Sequence, residues 1–385
     1  MTPAKSHRFL FSLLTAALFA SAATAQSNII VTNGSKANVR ARESRANIWA
    51  DPAPPNSVFD RWTGNTELVE DVYAASTFVN PLSKNISLTA TYRPASPFSF
   101  TQETISGVSV FYYIPPDPVG VIFRFHGTGG SAQSTLSSVE SRLFSNDAVA
   151  SGFGIVALDS VDRVNGEWSL APPPNNPDLN NVQAIIANLR QRGLISPNAP
   201  LLAQGTSRGG IFSSLVVYFQ NFRADAIYIA YGANAVMPQT TVPTIFCLAA
   251  NDDQEMVGPA GNQNAYNQVL NLQGRGIMAS YNLHQPSAVY PERFWRVANL
   301  TENDSHVIYN ALKSNNFLDG RDLLVANPRN SNWQAAIPNQ YQPYLTGIGT
   351  VLSAAYANHG FFSDYDSRVL RFFSTAIAAS SNKAE

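Results

Sequence analysis

Short apolar runs separated by polar turns dominate the chain from about residue 100 onward. The continuous apolar runs GVIFRFHG, FGIVALDS, APLLAQG and VPTIFCLAA predict buried strands, whereas NNVQAIIANLRQRG and RGGIFSSLVVYFQNF have the apolar spacing of helices. Strands that are apolar on both faces and alternate with helices are typical of a parallel sheet covered on both sides. The pattern therefore predicts an α/β fold with a doubly wound, mostly parallel sheet, in which functional side chains gather at the carboxyl ends of the strands.

The segment before this sheet, residues 26–95, has a different pattern. Its runs NIIVTN, ANIWA and ISLTATY are short and alternating and are broken by Pro, Asn, Ser and Gly, which predicts a small all-β module. The Phe-x-x-Trp-x-Gly element that begins at Phe59 and the strand that ends at Tyr92 resemble B-repeat-like modules of bacterial surface proteins. The resemblance implies that Phe59, Trp62 and Tyr92 form the core of the module. We also expect a surface or polymer contact through it.

The first 25 residues have the three parts of a cleavable signal peptide. Lys5, His7 and Arg8 form a positive segment, residues 9–20 form an apolar run that is short for a membrane span, and residues 23–25 give a small-x-small cleavage pattern. We therefore expect residues 1–25 to be removed. The mature protein would be secreted or periplasmic and would have no membrane span.

Composition narrows the classes of function that remain. The chain has 385 residues, of which 45% are hydrophobic and 13% charged, as in a globular protein with a sizeable core. A formal net charge of -1 provides no basic field for a nucleic acid. Cys247 is the one cysteine and lies in an apolar run, and no Gly-x-Gly-x-x-Gly follows the first strand of the sheet. We therefore expect no metal, nucleotide or redox cofactor.

The stretch LLAQGTSRGG, residues 201–210, places a serine between two glycines where a predicted strand meets a helix. In that context Gly-x-Ser-x-Gly is the pattern of a nucleophile elbow, a sharp turn that holds the serine hydroxyl clear of the sheet. The helix that begins near Arg208 directs its N-terminal N–H groups toward the serine. Ser207 is therefore the predicted nucleophile, and an ordinary turn that contains a serine is the alternative.

From this elbow, residues 96–385 are recognised as resembling the catalytic domain of the α/β-hydrolase family, of the secreted serine esterase type. The turn FRFHGTGGS, residues 123–131, lies where members of the family carry a His-Gly-rich turn whose backbone donates to an oxyanion. The resemblance implies oxyanion donors at Thr128, Gly129 and Arg208. It also implies that the serine, the acid and the histidine follow one another in that order along the chain.

The run TIFCLAANDDQEMV provides the acid at the end of a predicted strand. Residues 250–256 resemble the Gly-x-x-Asp-x-x-Val that members of the family often carry here, with Ala in place of Gly and Met in place of Val. This alignment predicts Asp253 as the acid that orients the histidine. Asp252, one residue earlier, remains the alternative.

Three histidines follow the acid. His359 lies in a turn before a C-terminal amphipathic helix, which is how chains of this family commonly end, and it is the predicted base. His284 ends a predicted strand and is the alternative, whereas His306 is predicted on a helix surface. With His359 as the base, residues 285–350 become an inserted, mostly helical cap over the site.

Aromatic residues from two regions are expected near the substrate. Trp168 follows the strand FGIVALDS, and secreted esterases that resemble this chain often carry a tryptophan in that loop, so Trp168 is a predicted pocket residue. The aromatic residues of the cap are expected to line an acyl or aryl pocket or to pack the cap itself: Tyr290, Phe294, Trp295, Trp333, Tyr341 and Tyr344.

The combination of nucleophile, base, orienting acid and oxyanion donors defines acyl transfer to water. The sequence therefore predicts a secreted serine hydrolase that cleaves a small-molecule or polymeric carboxylic ester. One alternative is a serine peptidase of the prolyl-oligopeptidase type, which the GTSRGG stretch also resembles, although the N-terminal segment is too short for a propeller domain. The other alternative is a non-catalytic surface-binding protein built on a hydrolase scaffold.

Overall fold

Two three-stranded sheets form a β module at the N-terminal end of the computed structural model, which describes residues 28–36, 45–80, 85–255 and 257–381. The orders of the two sheets are β1-β6-β4 and β2-β3-β5, with β1 parallel to β6 and the other neighbours antiparallel. The signal-peptide prediction lies outside the described residues. The six strands are β1 (Ile29–Thr32), β2 (Gly34–Lys36), β3 (Ala46–Ala50), β4 (Ser57–Gly64), β5 (Ser76–Val79) and β6 (Ile86–Pro94), and one 3₁₀ turn is Thr66–Leu68.

The core of the β module is built around a tryptophan. Trp62 is buried between the two sheets, and its Nε1–H donates to the Ala74 carbonyl at 3.0 Å. The ring of Phe59 lies 5.8 Å from that of Trp62 and 6.4 Å from that of Tyr92, measured between centroids. The three predicted core aromatics therefore pack together, and Trp62 is too deeply buried to form a contact surface.

An eight-stranded sheet forms the centre of the molecule. Its order is β14-β13-β12-β11-β9-β10-β8-β7, and every neighbouring pair is parallel except the two pairs that involve β8. This order and the helices on both faces confirm the predicted doubly wound α/β fold of the α/β-hydrolase type. The strands are β7 (Thr101–Ile105), β8 (Val108–Tyr113), β9 (Val121–Phe125), β10 (Gly154–Leu158), β11 (Leu201–Thr206), β12 (Ala224–Tyr228), β13 (Thr244–Ala249) and β14 (Ala279–His284).

Helices cover both faces of this sheet. One hydrophobic cluster joins α3, α4 and α5 to one face, and a second joins α1, α2 and α8 to the other. Because both faces are covered, β9, β10, β12 and β13 are buried along their whole length. The helices are α1 (Ala132–Ser137), α2 (Val139–Ala150), α3 (Pro177–Gln191), α4 (Arg208–Phe219), α5 (Pro259–Gly274), α6 (Glu302–Ser314), α7 (Leu345–Tyr356) and α8 (Asp366–Ser381).

A helical insertion lies between β14 and the turn that carries His359. It contains α6, α7 and 3₁₀ turns at Arg293–Arg296, Trp333–Ala336 and Asn339–Tyr344, and it has its own hydrophobic cluster. A capping box in which Thr301 and Asp304 bond reciprocally starts α6. Across the described part of the chain, no helix is both long and apolar enough to cross a bilayer.

Candidate active site

The elbow at Ser207 is the sharpest feature of the central sheet. Ser207 follows β11 directly and precedes the first residue of α4, with φ 55° and ψ -123°. A positive φ at a residue with a side chain is strained by about 1–3 kcal/mol, so the surrounding structure must hold it in place. Part of that support is the Ser207 N–H, which donates to the Tyr228 carbonyl of the neighbouring strand at 2.9 Å.

The two glycines of the elbow are required by the close approach of backbone atoms. A Cβ on Gly205 would lie 2.1 Å from the Gly209 carbonyl oxygen. A Cβ on Gly209 would lie 2.3 Å from the carbonyl oxygen of Phe125, the last residue of β9. Neither obstacle is a movable side chain, so the Gly-x-Ser-x-Gly spacing follows from the packing of α4 against β9 and β11.

A chain of two hydrogen bonds starts at the serine hydroxyl. The Nε2 atom of His359 lies 3.0 Å from Ser207 Oγ, and its Nδ1 atom lies 2.7 Å from Asp252 Oδ2. Because a carboxylate only accepts hydrogen bonds, Nδ1 carries the proton and Nε2 is left to accept from the serine. The Asp252 side chain is fully buried, whereas the His359 side chain is 14% exposed at the cleft.

The acid in contact with the histidine is therefore Asp252, and the choice of Asp253 is corrected. The Asp253 carboxylate accepts a hydrogen bond from Asn327 Nδ2 at 2.9 Å in an exposed position. Asp252 is turned inward because its Oδ1 accepts the backbone N–H of Gln254, two residues later, at 3.0 Å. Such a turn closed by an aspartate side chain directs one residue of the acidic run toward the site and leaves the next one in solvent.

Two of the three backbone N–H groups predicted as oxyanion donors make no hydrogen bond with the described residues. The Gly129 N–H donates to the carbonyls of Asn165 at 3.0 Å and Gly166 at 3.2 Å, so it is not available, and that prediction is corrected. The Arg208 N–H belongs to the first residue of α4 and has no partner within the helix. The Thr128 N–H makes no hydrogen bond with the described residues.

The turn that carries Thr128 lies directly against the nucleophile. A Cβ on Gly127 would lie 3.5 Å from the Cβ of Ser207. The ring of His126 holds this turn, because its Nδ1 lies 2.8 Å from the Gly127 carbonyl and its Nε2 accepts the Ser160 N–H at 3.1 Å. Burial lowers the pKa of His126 to about 4. This histidine therefore stays neutral and supports the turn.

Trp168 lies beneath the site and does not border a pocket, which corrects its predicted role. Its side chain is 1% exposed and stacks on Phe212 of α4 at 4.6 Å between centroids. Its Nε1–H donates to the His126 carbonyl at 2.8 Å, and its own carbonyl accepts from Arg208 Nε at 3.0 Å. Trp168 thus joins the Thr128 turn to the first residue of the elbow helix.

The alternative base, His284, has a packing role. It is buried at the end of β14, where its ring stacks on Phe362 and its Nε2 lies 3.0 Å from the Ala354 carbonyl. Burial lowers the pKa of His284, although Asp364 at 3.4 Å acts in the opposite direction. His306 lies on α6 and contacts Glu292 at 3.1 Å, as a surface histidine would.

A cleft of about 600 Å³ lies between His359 and the helical insertion. Trp333 and Arg329 of the insertion line it, together with residues of α7 and Phe361. Of the aromatics expected in a pocket, Trp333 borders this cleft, although it is 3% exposed and belongs, with Phe294 and Tyr341, to the buried core of the insertion. Tyr290 and Trp295 line a different cavity, and Tyr344 packs against the core of the insertion.

An asparagine network that the sequence does not predict connects the loop of Asp252 to the loop of His359. Asn251 donates its backbone N–H to the Ala357 carbonyl and its side-chain amide to the Tyr356 carbonyl, both at 2.9 Å. Asn358 accepts the His359 N–H at 2.6 Å and donates to Asn327 Oδ1 at 2.7 Å. Asparagines are abundant in loops, so nothing in the sequence marks these as positioning residues.

One group of described residues could place three ligand atoms around a metal ion. Atoms of Glu292, Glu302 and His306 lie within 4.8 Å of one another. Glu292 already accepts from Trp49 Nε1 at 3.0 Å and contacts His306. Among the described residues, none of these three forms a hydrogen bond with Ser207, His359 or Asp252.

Comparisons with known proteins do not identify a family for this chain. No protein-family model matches the chain, and no curated protein matches it. The similar solved structures include an α/β serine hydrolase without a lid from Xanthomonas campestris, with 15% identity, 50% of this chain and 85% of that chain covered and a TM-score of 0.34. An esterase of Pyrococcus furiosus gives 10% identity, 49% and 82% coverage and a TM-score of 0.35. These values are too low to assign an activity to this protein.

Proposed function

We propose that this protein is a serine hydrolase that cleaves carboxylic esters through an acyl-enzyme. The observation that carries the proposal is the continuous path from Ser207 Oγ through His359 to Asp252, with contacts of 3.0 and 2.7 Å. A nucleophile, a base within hydrogen-bond reach and an acid that fixes the tautomer of the base are the parts that this chemistry needs.

In the first half of the reaction, Ser207 Oγ attacks the acyl carbon of the ester while its proton moves to His359 Nε2. The tetrahedral intermediate carries its negative charge on the former carbonyl oxygen. His359 then gives the proton to the departing alkoxide, the ester C–O bond breaks, and the acyl group remains on Ser207. Asp252 stays ionised and stabilises the imidazolium that forms in between.

The second half repeats these steps with water in place of the alcohol. His359 Nε2 accepts a proton from a water molecule that attacks the acyl carbon, and the proton then returns to Ser207 Oγ as the carboxylic acid leaves. The N–H groups of Thr128 and Arg208 are suited to receive the oxyanion in both halves. One such donor contributes about 3–4 kcal/mol of transition-state stabilisation.

The cleft beside His359 is the proposed place for one side of the ester. Its volume of about 600 Å³ suits a small-molecule ester or a short section of a polymeric one. Its wall combines the apolar ring of Trp333 with the cationic side chain of Arg329. We further propose that the protein acts outside the cytoplasm after removal of residues 1–25, as the signal-peptide pattern indicates.

The proposal is tested by hydrolysis of p-nitrophenyl acetate and butyrate beside a p-nitroanilide peptide, with wild-type protein and Ser207→Ala. We expect ester turnover in the wild type only and little cleavage of the anilide. Faster cleavage of the anilide would favour the peptidase alternative. Absence of both activities in a folded wild-type protein would favour the surface-binding alternative.

A further inference from the structure

The cleft beside His359 contains a cation that no acidic side chain of the described residues neutralises. Arg329 lines the cleft and, among those residues, forms no ion pair with an Asp or Glu. Asp253, the carboxylate joined to the same loop, accepts from Asn327 instead. Of the described residues that line the cleft, none is acidic, and Arg329 is the one with a permanent charge. One wall of the cleft therefore offers a positive charge to a ligand.

A contact with the catalytic histidine shows where this charge lies. The Nη2 atom of Arg329 donates to the backbone carbonyl of His359, the residue whose Nε2 contacts Ser207 Oγ at 3.0 Å. A guanidinium has five N–H donors, and the other donors of Arg329 make no side-chain hydrogen bond with the described residues. The positive charge thus lies within one residue of the reacting atoms, and most of its donors face water or a ligand.

The cleft lies on the side of the site from which the alcohol departs. His359 lines the cleft, whereas Ser207 and the oxyanion donors Thr128 and Arg208 do not. In the proposed reaction, His359 Nε2 gives its proton to the oxygen of the leaving alcohol, so the alcohol lies on the histidine side of the serine. The part of the ester that enters this cleft is therefore the alcohol and not the acyl group.

We infer that the enzyme prefers esters whose alcohol part carries a carboxylate, and that Arg329 is the residue that sets this preference. The inference rests on the ester hydrolysis proposed above. The planar guanidinium matches the two oxygens of a carboxylate. Because no second cation lines the described part of the cleft, a singly charged carboxylate fits better than a doubly charged phosphate. Leu345 and Phe361, both partly buried, offer apolar surface to the rest of the alcohol.

The test uses two acetate esters, 4-acetoxybenzoate and 4-acetoxybenzamide, whose leaving groups carry a carboxylate or a neutral amide of similar shape. Chromatography measures the released phenol, and kcat/KM of the charged ester is divided by that of the neutral one. Arg329→Gln removes the charge, and Arg329→Lys keeps it. The matched control is Arg321→Gln, since Arg321 is an exposed arginine of the insertion that contacts Asp319 and does not line the cleft.

A second pair of substrates places the same two groups on the acyl side. These are the phenyl esters of 4-carboxybenzoic acid and of 4-carbamoylbenzoic acid, and the same ratio of kcat/KM values is measured for them. Because the acyl group lies outside the cleft that Arg329 lines, Arg329→Gln should leave this second ratio unchanged.

We expect Arg329→Gln to lower the ratio for the acetate pair by about three- to fivefold, as loss of an exposed ion pair would. The change should be a higher KM for 4-acetoxybenzoate, because the contact is present in the ground state and the transition state alike. Loss of the contact with the His359 carbonyl would lower kcat for both esters and cancel in the ratio. Arg329→Lys should keep most of the preference, and Arg321→Gln all of it.

If Arg329→Gln does not fold, the wild type decides the matter, because a high concentration of NaCl should lower its ratio for the acetate pair by screening. An unchanged ratio in Arg329→Gln, a drop of the same size in Arg321→Gln, or a change confined to the acyl-side pair would overturn the inference while ester hydrolysis stands. Absence of turnover of all four esters and of p-nitrophenyl butyrate by the wild type would instead overturn the proposed function.

Discussion

The elbow around Ser207 and the two loops that bring Asp252 to His359 are built in different ways. The elbow is local: ten consecutive residues form strand, turn and helix, and its glycines are required by backbone contacts at 2.1 and 2.3 Å. The acid and the histidine are 107 residues apart and meet through asparagine contacts between loops. The position of the nucleophile therefore follows from a short stretch of sequence. The positions of Asp252 and His359 relative to each other depend on the tertiary fold.

The largest expected effect is the difference in kcat between variants of the two neighbouring aspartates, Asp252 and Asp253. Asp252→Asn should lower kcat by about 10⁴-fold, because the amide no longer fixes the tautomer of His359. Asp253→Asn should stay within a few-fold of the wild type, since its carboxylate accepts a hydrogen bond from Asn327 in an exposed position and, among the described residues, makes none with His359. Steady-state kinetics with p-nitrophenyl butyrate measure both, and equal losses in the two variants would contradict the assignment.

Substitution of an elbow glycine should lower the stability of the fold. Gly205→Ala places a methyl group 2.1 Å from a backbone oxygen, and we expect it to lower the free energy of unfolding by more than about 3 kcal/mol. Gly274→Ala is the control, because no described atom outside its own stretch of α5 lies within 4 Å of its added Cβ. Urea denaturation followed by circular dichroism compares them. A Gly205→Ala protein as stable as the control would show that the elbow is not tightly packed.

The buried His126, in the turn that packs against the elbow, should make the free energy of unfolding depend on pH. His126 has a pKa of about 4 in the fold, against an ordinary value of about 6.5, so between these values the unfolded chain binds a proton that the folded one does not. Its contribution is present above pH 6.5 and is lost as pH falls toward 4, by up to about 3 kcal/mol. His126→Gln should flatten this part of the pH profile of urea denaturation. An unchanged slope would mean that His126 titrates normally.

The asparagine network should have a smaller effect, confined to catalysis. Asn327→Ala removes the side chain that links Asp253 and Asn358, and a slightly displaced His359 should lower kcat by about tenfold. Asn330→Ala is the control, because its side chain is exposed and three residues away in the same loop. Identical kcat values in the two variants would show that the loops hold their positions without Asn327.

The smallest effect concerns the strain stored at the nucleophile. Ser207→Gly should be more stable than Ser207→Ala by about 1 kcal/mol, because glycine adopts φ 55° without strain although it loses more chain entropy on folding. Both variants lack the hydroxyl, so a difference between them in thermal denaturation reports the free-energy cost of the backbone conformation at residue 207. An alanine variant at least as stable as the glycine one would show that this conformation stores little strain.

The limits of prediction follow from the same contrast. The apolar strands and the Gly-x-Ser-x-Gly spacing are properties of neighbouring residues, and the predicted fold class and elbow are present in the structure. Asp252 could not be separated from Asp253, because the choice depends on a side-chain bond to the Gln254 N–H within an acidic run. Gly129 was misassigned for a related reason: its N–H is taken by carbonyls of residues 165 and 166, which are distant in sequence. The burial of Trp168 depends on Phe212 of α4, which stacks on its ring, and a local sequence pattern does not predict this contact.

The measurement that tests the central claim most directly is the mass spectrometric mapping of a fluorophosphonate adduct on the protein. If Ser207 is activated by His359 and Asp252, the adduct lies on the peptide that contains Ser207 and is absent from Ser207→Ala. Labelling of Asp252→Asn should be slower than labelling of Asp253→Asn at the same probe concentration. An adduct on another residue, or full ester turnover by folded Ser207→Ala, would contradict the account.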